Sequence, residues 1–283
     1  MLAMRAGQRR GPGRWRGVRR RAGGRPSRRA AWLLLAAVAA VAGCTPAPGA
    51  SPPGQRHAEA DRPRPVVIVP GFELLCVSER TDWDRWRDAF VERGLPRDHV
   101  VVAFYDTCQP NRTTAAFLGR TVDDLLARTG ADRVNVVAHS MGAISTRWCI
   151  RFGTCAGKVA EVVTLAGANH GTVWAEACGL LFWSRSCPDL APGSAMLEQL
   201  NTDEAPEGVR WETWVSVCEL VIVPRESAFL AGAVNHDLTD ECVDHSGWKR
   251  HRPTIRAVTE RLVPRPAGSG KAVASVTPSA RTL

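Results

Sequence analysis

Residues 134–143 read VNVVAHSMGA. An apolar run stops at Ser140, with a small residue two positions before it (Ala138) and another two after it (Gly142). A helix N-cap would explain a serine at this point. It would not explain small side chains on both flanks. Those are what a strand needs when it turns abruptly into a helix, because only Ala and Gly fit two places either side of so tight a bend. The helix that follows, 141–152, completes a strand–turn–helix unit, and this unit constrains the fold more than any other feature of the chain.

The neighbouring sequence repeats the pattern. RPVVIVPGF (64–72), HVVVAFY (99–105), RVNVVA (133–138) and AEVVTLAGA (160–168) read as buried strands, and WETWVSV (211–217) and GAVNHDL (232–238) as later ones. Between them, Trp83, Trp86 and Phe90 fall at helical spacing in 81–94, and Phe117, Val122, Leu125 and Leu126 mark one face of a helix over 113–129. A last helix is expected at 247–263, and residues after 168 read as a long irregular insert containing Cys178 and Cys187. Continuous Val-rich strands alternating with amphipathic helices predict an α/β fold, a mostly parallel sheet covered by helices on both faces. Hydrophobic residues, 45% of the 283, suffice for such a core.

The formal net charge of +9 invites a nucleic-acid reading, but its distribution excludes one. Eleven arginines and no acidic residue lie in 1–43, leaving 26 basic against 28 acidic residues in the remainder. The basic stretch precedes an apolar run, AAWLLLAAVAAVAG (30–43), too short for a membrane span and shaped like a signal h-region. It ends in VAGC, followed by TPAPGASPPGQ. A small-residue pair before cysteine resembles a bacterial lipobox, which would make Cys44 the lipidated mature N-terminus and a membrane anchor. SRRAAWL, from Ser27, loosely resembles a twin-arginine export motif. The organisation is then a lipoprotein-type signal (1–43), a linker (44–63), a catalytic domain (64–263) and a disordered Pro/Gly/Ser-rich tail (264–283). Besides Cys44 there are eight cysteines, an even set in an exported chain, which implies disulfides. Sequence neighbours suggest Cys76–Cys108, Cys149–Cys155, Cys178–Cys187 and Cys218–Cys242. No CxxC and no His/Cys cluster has ligand spacing, so no metal is expected. Asn111 opens an NRT acceptor for glycosylation, which a bacterial-type leader makes irrelevant.

Ser140 at the turn reads as a nucleophile, with the following helix N-terminus supplying positive potential to an oxyanion. Such a serine needs a base, and the base an orienting acid, in chain order Ser, Asp/Glu, His. His245, in CVDHSGW directly before the last helix, is the expected base. His170 lies too near the nucleophile, His236 within a strand and His251 within a helix. Glu219, just past the strand that ends near Val217, is the expected acid, with Asp189, Asp237, Asp240 and Asp244 as competitors. A Cys218–Cys242 bond would tie the acid loop to the base loop. Backbone N–H groups of Met141 and of Phe72, after the Pro70-Gly71 turn, are the expected oxyanion donors. Trp174, Leu180, Leu181, Phe182 and Trp183 form an acyl-binding wall, a lid, or part of the core.

VIVPGF, VNVVAHSMGA, TLAGANHGT and CVDHSGW together resemble bacterial secreted lipases and esterases of the α/β-hydrolase fold, of the class 2 type, over roughly residues 64–263. The resemblance implies hydrolysis of carboxylic esters, acylglycerols or shorter acyl esters, without a cofactor. It implies Ser140 as nucleophile, His245 as base, and Phe72 and Met141 as oxyanion donors. Two departures stand out. Glu219 occupies a place where the family commonly has Asp, and Pro70-Gly71 replaces a common His-Gly. Acyl transfer, polyester depolymerisation and a non-catalytic binding role on the same fold are the competing functions. No partner beyond a lipid substrate and the membrane is implied, and the oligomeric state is left open.

Overall fold

The computed structural model describes residues 63–77 and 83–264. The leader, Cys44, the linker up to residue 62 and the tail beyond Pro264 lie outside the described residues.

Six strands form one sheet: β1 (Val66–Val69), β2 (Val100–Val102), β3 (Val134–His139), β4 (Val159–Leu165), β5 (Arg210–Ser216) and β6 (Val234–Leu238), in the order β2-β1-β3-β4-β5-β6. Every pairing is parallel. The strands fall on the runs expected from the sequence: β1, β2 and β6 are shorter than those runs, whereas β3, β4 and β5 each reach one residue beyond them at one end. β1, read as 64–72, keeps only VVIV, all four residues buried, because its last residues turn away into a loop at Pro70-Gly71.

Among the described residues, six helices connect or cover the strands: α1 (Asp84–Glu92), α2 (Asn111–Thr129), α3 (Met141–Phe152), α4 (Ala175–Phe182), α5 (Ala195–Leu200) and α6 (Arg252–Leu262). The chain steps from β1 to β2 in one direction and from β2 back across β1 to β3 in the other. With right-handed crossovers, that reversal puts α1 and α2 on opposite faces of the sheet. α1 packs on α6, and α2 on α3. α2 stops at Gly130, whose φ of +69° lets its N–H return to the Leu126 carbonyl.

Two expectations are corrected. The insert after residue 168 is not irregular. It contains α4 and α5, the latter capped by the Ser194 side chain accepting from Leu197 N–H. α4 (AEACGLLF) escapes a periodicity search because it is short and apolar on most sides. The last helix does not begin at 247. A single 3-10 turn spans Gly247–Lys249 and α6 starts at Arg252, because Pro253 lacks an N–H and is tolerated only in a first turn. His251 therefore lies at the N-cap of α6 rather than within it.

The largest core side chains gather beside this turn. Trp83, Trp86 and Trp248 are fully buried, and Trp86 Nε1–H donates to the Trp248 carbonyl at 3.1 Å. On the sheet's other side, Gly142 in the first turn of α3 lies against the end of β1. A Cβ there would stand 2.5 Å from the Pro70 carbonyl oxygen and 2.7 Å from that of Val69. Both are backbone atoms and cannot swing aside. Gly142→Ala is therefore expected to cost about 1–3 kcal/mol by overpacking, read as a lowered urea midpoint with an unchanged m-value. An unchanged midpoint would count against this packing.

Candidate active site

The direction of travel along the sheet reverses at β1, between β2 and β3. In open α/β sheets the crevice outside the strands' carboxyl ends at such a point is where ligands bind. Ser140 follows β3 there, and Phe72 stands in the loop after β1.

Ser140 has φ 53° and ψ −126°, a strained region for a residue with a side chain. Its N–H donates to Leu165 O on β4 at 3.0 Å, and its carbonyl accepts from Ala143 and Ala168 N–H. The bend leaves the side chain at the N-terminus of α3. Gly71 approaches so closely that a Cβ there would meet Ser140 Cβ at 2.6 Å. The small residues at 71 and 142 are thus set by contact distances, and Ala138, fully buried, satisfies the same demand on the strand side.

His245 Nε2 lies 2.9 Å from Ser140 Oγ, and His245 Nδ1 lies 2.9 Å from Glu219 Oε1. A proton on Nδ1, donated to the carboxylate, leaves Nε2 to accept from the hydroxyl. Glu219 is buried, and the same Oε1 accepts from Val221 and Ile222 N–H at 2.8 and 2.9 Å. Glu219 sits in a tight turn, its N–H donating to Ser216 O at 3.1 Å. Of the competing carboxylates, Asp189 accepts from Asn111, Asp237 pairs with Arg225, and Asp244 accepts from Gly247 N–H. Among the described residues Glu219 is the carboxylate paired with His245.

The remaining histidines are engaged elsewhere. His170 meets Glu204, His236 stacks on Trp214 and meets Glu212, and His251 meets Glu241 and Thr254. Asn111 is fully buried, its amide donating to Ser186 O and Asp189 and its oxygen accepting from Ser145. That burial closes it to glycosylation.

The loops around the site are tied to one another. Cys218 is bonded to Cys242, and beside that bond Ser216 Oγ donates to Val243 O at 2.9 Å and accepts from Val243 N–H at 2.8 Å. Three further disulfides join Cys76 to Cys108, Cys149 to Cys155 and Cys178 to Cys187. The loop after β1 is held by Tyr105 O–H donating to Pro70 O at 2.5 Å, and by Thr107 Oγ1, which accepts from Glu73 N–H and donates to Glu73 O. Burial, then the Glu73 charge, raises the Tyr105 pKa, keeping its phenol protonated. Glu73 also pairs with Lys249 Nζ at 2.8 Å, reaching from the Phe72 loop to the turn just past His245.

Ser216, Glu73 and Lys249 carry no sequence signal, since their partners lie up to 176 positions away. His139 was readable only as the neighbour of Ser140. It is buried, its ring 4.7 Å from that of His245, and its Nε2 lies 2.8 Å from the His245 carbonyl oxygen, to which it donates. Burial, then the charges of His245 and Lys249, pushes its pKa well below the usual histidine range against the opposing effect of that hydrogen bond.

A cavity of about 320 Å³ opens beside Ser140 and His245. α4 forms one wall with Ala175, Ala177, Cys178 and Leu181, and Val221 and Ile222 form another. Trp174, Leu180, Leu181 and Trp183 are more than half exposed, so the core-packing alternative for these four is discarded.

A six-stranded parallel sheet carrying this serine on a strand-to-helix bend defines an α/β-hydrolase fold. Solved structures agree. A Bacillus licheniformis lipase, BlEst2 in mature form, superposes with a TM-score of 0.59 over 71% of this chain and 92% of its own, at 14% identity. Aspergillus fumigatus lipase B gives 0.58 over 70% and 52%, at 16% identity. The chain belongs to the class 2 lipase family, whose profile matches residues 63–232. A triacylglycerol lipase from Pseudomonas fragi is 26% identical over 119 residues, 42% of this chain and 39% of that enzyme. The chain thus matches well under half of that relative's length.

His139 generates a stability prediction. The folded chain keeps it neutral, whereas the unfolded chain protonates it below about pH 6.5. The unfolded state then binds more protons, so stability falls as pH drops below 6.5, by up to about 1.4 kcal/mol per pH unit from this residue. His139→Gln retains a donor but does not titrate. Urea midpoints at pH 7.5, 6 and 5 are expected to fall less steeply for the variant, and parallel slopes would refute the assignment.

Proposed function

We propose that the protein is an extracytoplasmic serine lipase or esterase that hydrolyses carboxylic esters through an acyl-enzyme. The observation that carries this reading is the relay of two 2.9 Å contacts, Ser140 to His245 to Glu219. His245 takes the Ser140 proton as Oγ attacks the ester carbonyl. The tetrahedral oxyanion is received by backbone N–H groups of Met141 and Phe72. Met141 opens α3, where the first N–H groups have no acceptor within the helix. Phe72 lines the same cavity as Ser140. The alcohol leaves with the proton from His245. Water, deprotonated by the same imidazole, then attacks the acyl-enzyme, and the carboxylic acid departs as the proton returns to Ser140 Oγ. Glu219 holds the Nδ1–H tautomer and stabilises the imidazolium.

Four disulfides among the described residues support export, and the VAGC sequence supports a lipid anchor at Cys44. Mass spectrometry of the mature N-terminus tests the anchor, and an unmodified terminus elsewhere rejects it.

Hydrolysis of p-nitrophenyl acetate and butyrate tests the chemistry. Ser140→Ala is expected to lower kcat by roughly 10⁶. Glu219→Gln, which keeps the shape but favours the wrong tautomer, is expected to lower it by about 10⁴. Equal turnover by wild type and Ser140→Ala would end the hydrolase reading, and an unaffected Glu219→Gln would remove Glu219 from it.

A further inference from the structure

The loop after β1 carries Phe72 and is fastened on two sides. Toward β2, Tyr105 and Thr107 hold Pro70 and Glu73. The Cys76–Cys108 bond and the Thr107 N–H, which donates to Cys76 O at 2.9 Å, hold the loop's far end on that same side. Toward the His245 loop, Glu73 Oε1 meets Lys249 Nζ at 2.8 Å. Lys249 is a firm post. It closes the Gly247–Lys249 turn, its neighbour Trp248 is fully buried, and the Trp248 carbonyl accepts from Trp86 Nε1–H. The next two residues of the loop, Leu74 and Leu75, are 64% and 87% exposed, so their packing does not hold it.

Both charges of the pair are largely buried, the Glu73 side chain 20% exposed and that of Lys249 8%. Such a pair is a poor source of stability. Desolvation offsets much of the attraction, and apolar residues of similar volume often serve as well. What a pair supplies that apolar packing does not is a fixed distance between two elements. Here the elements are the residue next to Phe72 and the turn four positions after His245. We propose that Glu73 and Lys249 are a positioning pair for the reaction: they hold the loop after β1 so that the Phe72 N–H stays aimed at the oxyanion formed when Ser140 attacks. The proposal rests on the serine-hydrolase reading. Neither side chain is asked to touch the ester. With the pair lost, Phe72 still stands beside the site, but its N–H is no longer held in place. A displacement on the order of 1 Å costs about 10²-fold in rate. The Met141 N–H, fixed at the start of α3, keeps its place. The loss therefore falls on the transition state, where the oxyanion exists, and spares binding of the ground-state ester.

Four variants separate positioning from stability, with p-nitrophenyl butyrate as substrate. Glu73→Gln and Lys249→Met each remove one charge and are expected to lower both the urea midpoint and kcat. The double variant removes both charges, so its midpoint should climb back toward wild type. Its kcat should stay down by about ten- to a hundredfold, with KM within about twofold. Lys249→Arg keeps the charge and should keep kcat. If the double variant fails to fold, Glu73→Gln, assayed below its unfolding transition, carries the same comparison against Lys249→Arg. Butylboronic acid adds a second readout. It bonds through boron to Ser140 Oγ, and one oxygen of the tetrahedral adduct takes the place of the oxyanion. Its inhibition constant should rise by the factor by which kcat falls. Wild-type kcat in the folded double variant, a change in KM alone, or a fall in kcat with unchanged boronate affinity would overturn the inference and leave hydrolysis by Ser140 standing. Equal turnover by wild type and Ser140→Ala would instead sink the serine-hydrolase reading, and this inference with it.

Discussion

Ser140 is held in a backbone conformation that costs on the order of 1–3 kcal/mol for a residue with a side chain, and the surrounding architecture can be understood as what keeps it there. Its own N–H and C=O are bonded to β4, to the first turn of α3 and to Ala168. The backbone of β1's end presses on Gly142, and Gly71 lies directly against the serine's Cβ. Relaxing the bend would break these bonds and open gaps in the interior. The strain persists because two neighbouring strands and a helix fix the residue from three directions.

Around that point, four loops from distant parts of the chain are joined by short-range polar contacts. The loop after β1 is tied to the segment after β2 through Tyr105 and Thr107, and to the turn before α6 through Glu73 and Lys249. The loop after β5 is tied to the His245 loop through Ser216 and the Cys218–Cys242 bond. His139, on the strand beneath, fixes the His245 carbonyl. Groups aligned before a reaction need not reorganise during it, which is where preorganised sites gain most of their advantage. Here the alignment comes mainly from loop-to-loop contacts, while the sheet supplies the platform.

Much of this was legible in the sequence. The six strands and the strand–turn–helix at Ser140 were readable because period and residue size are local properties. Pro253 also carried the information that α6 starts late, although helical periodicity alone extended the helix too far. α4 gave no periodic signal because it exposes apolar side chains such as Leu180 and Leu181 to solvent, Leu181 lining the cavity as well. The contact of Glu219 with His245 was foreshadowed by the neighbouring cysteines at 218 and 242. The two N–H groups of Val221 and Ile222 that hold Glu219 were not, because a backbone donor has no letter in a sequence. The ion pair between residues 73 and 249, like the hydrogen bonds of Ser216, depends on tertiary placement that local patterning does not encode.

The turn at 219–222 serves two neighbours at once. On one side its N–H groups at Val221 and Ile222 fix a carboxylate, and on the other the same two residues face the apolar hollow. A change at Ile222 that shifted its backbone would loosen the hold on the Glu219 carboxylate, which contacts the His245 imidazole directly. The opposite wall, carried by α4 and stapled by Cys178–Cys187, shares none of those bonds. One short turn therefore sets both the carboxylate's anchor and part of the hollow's wall.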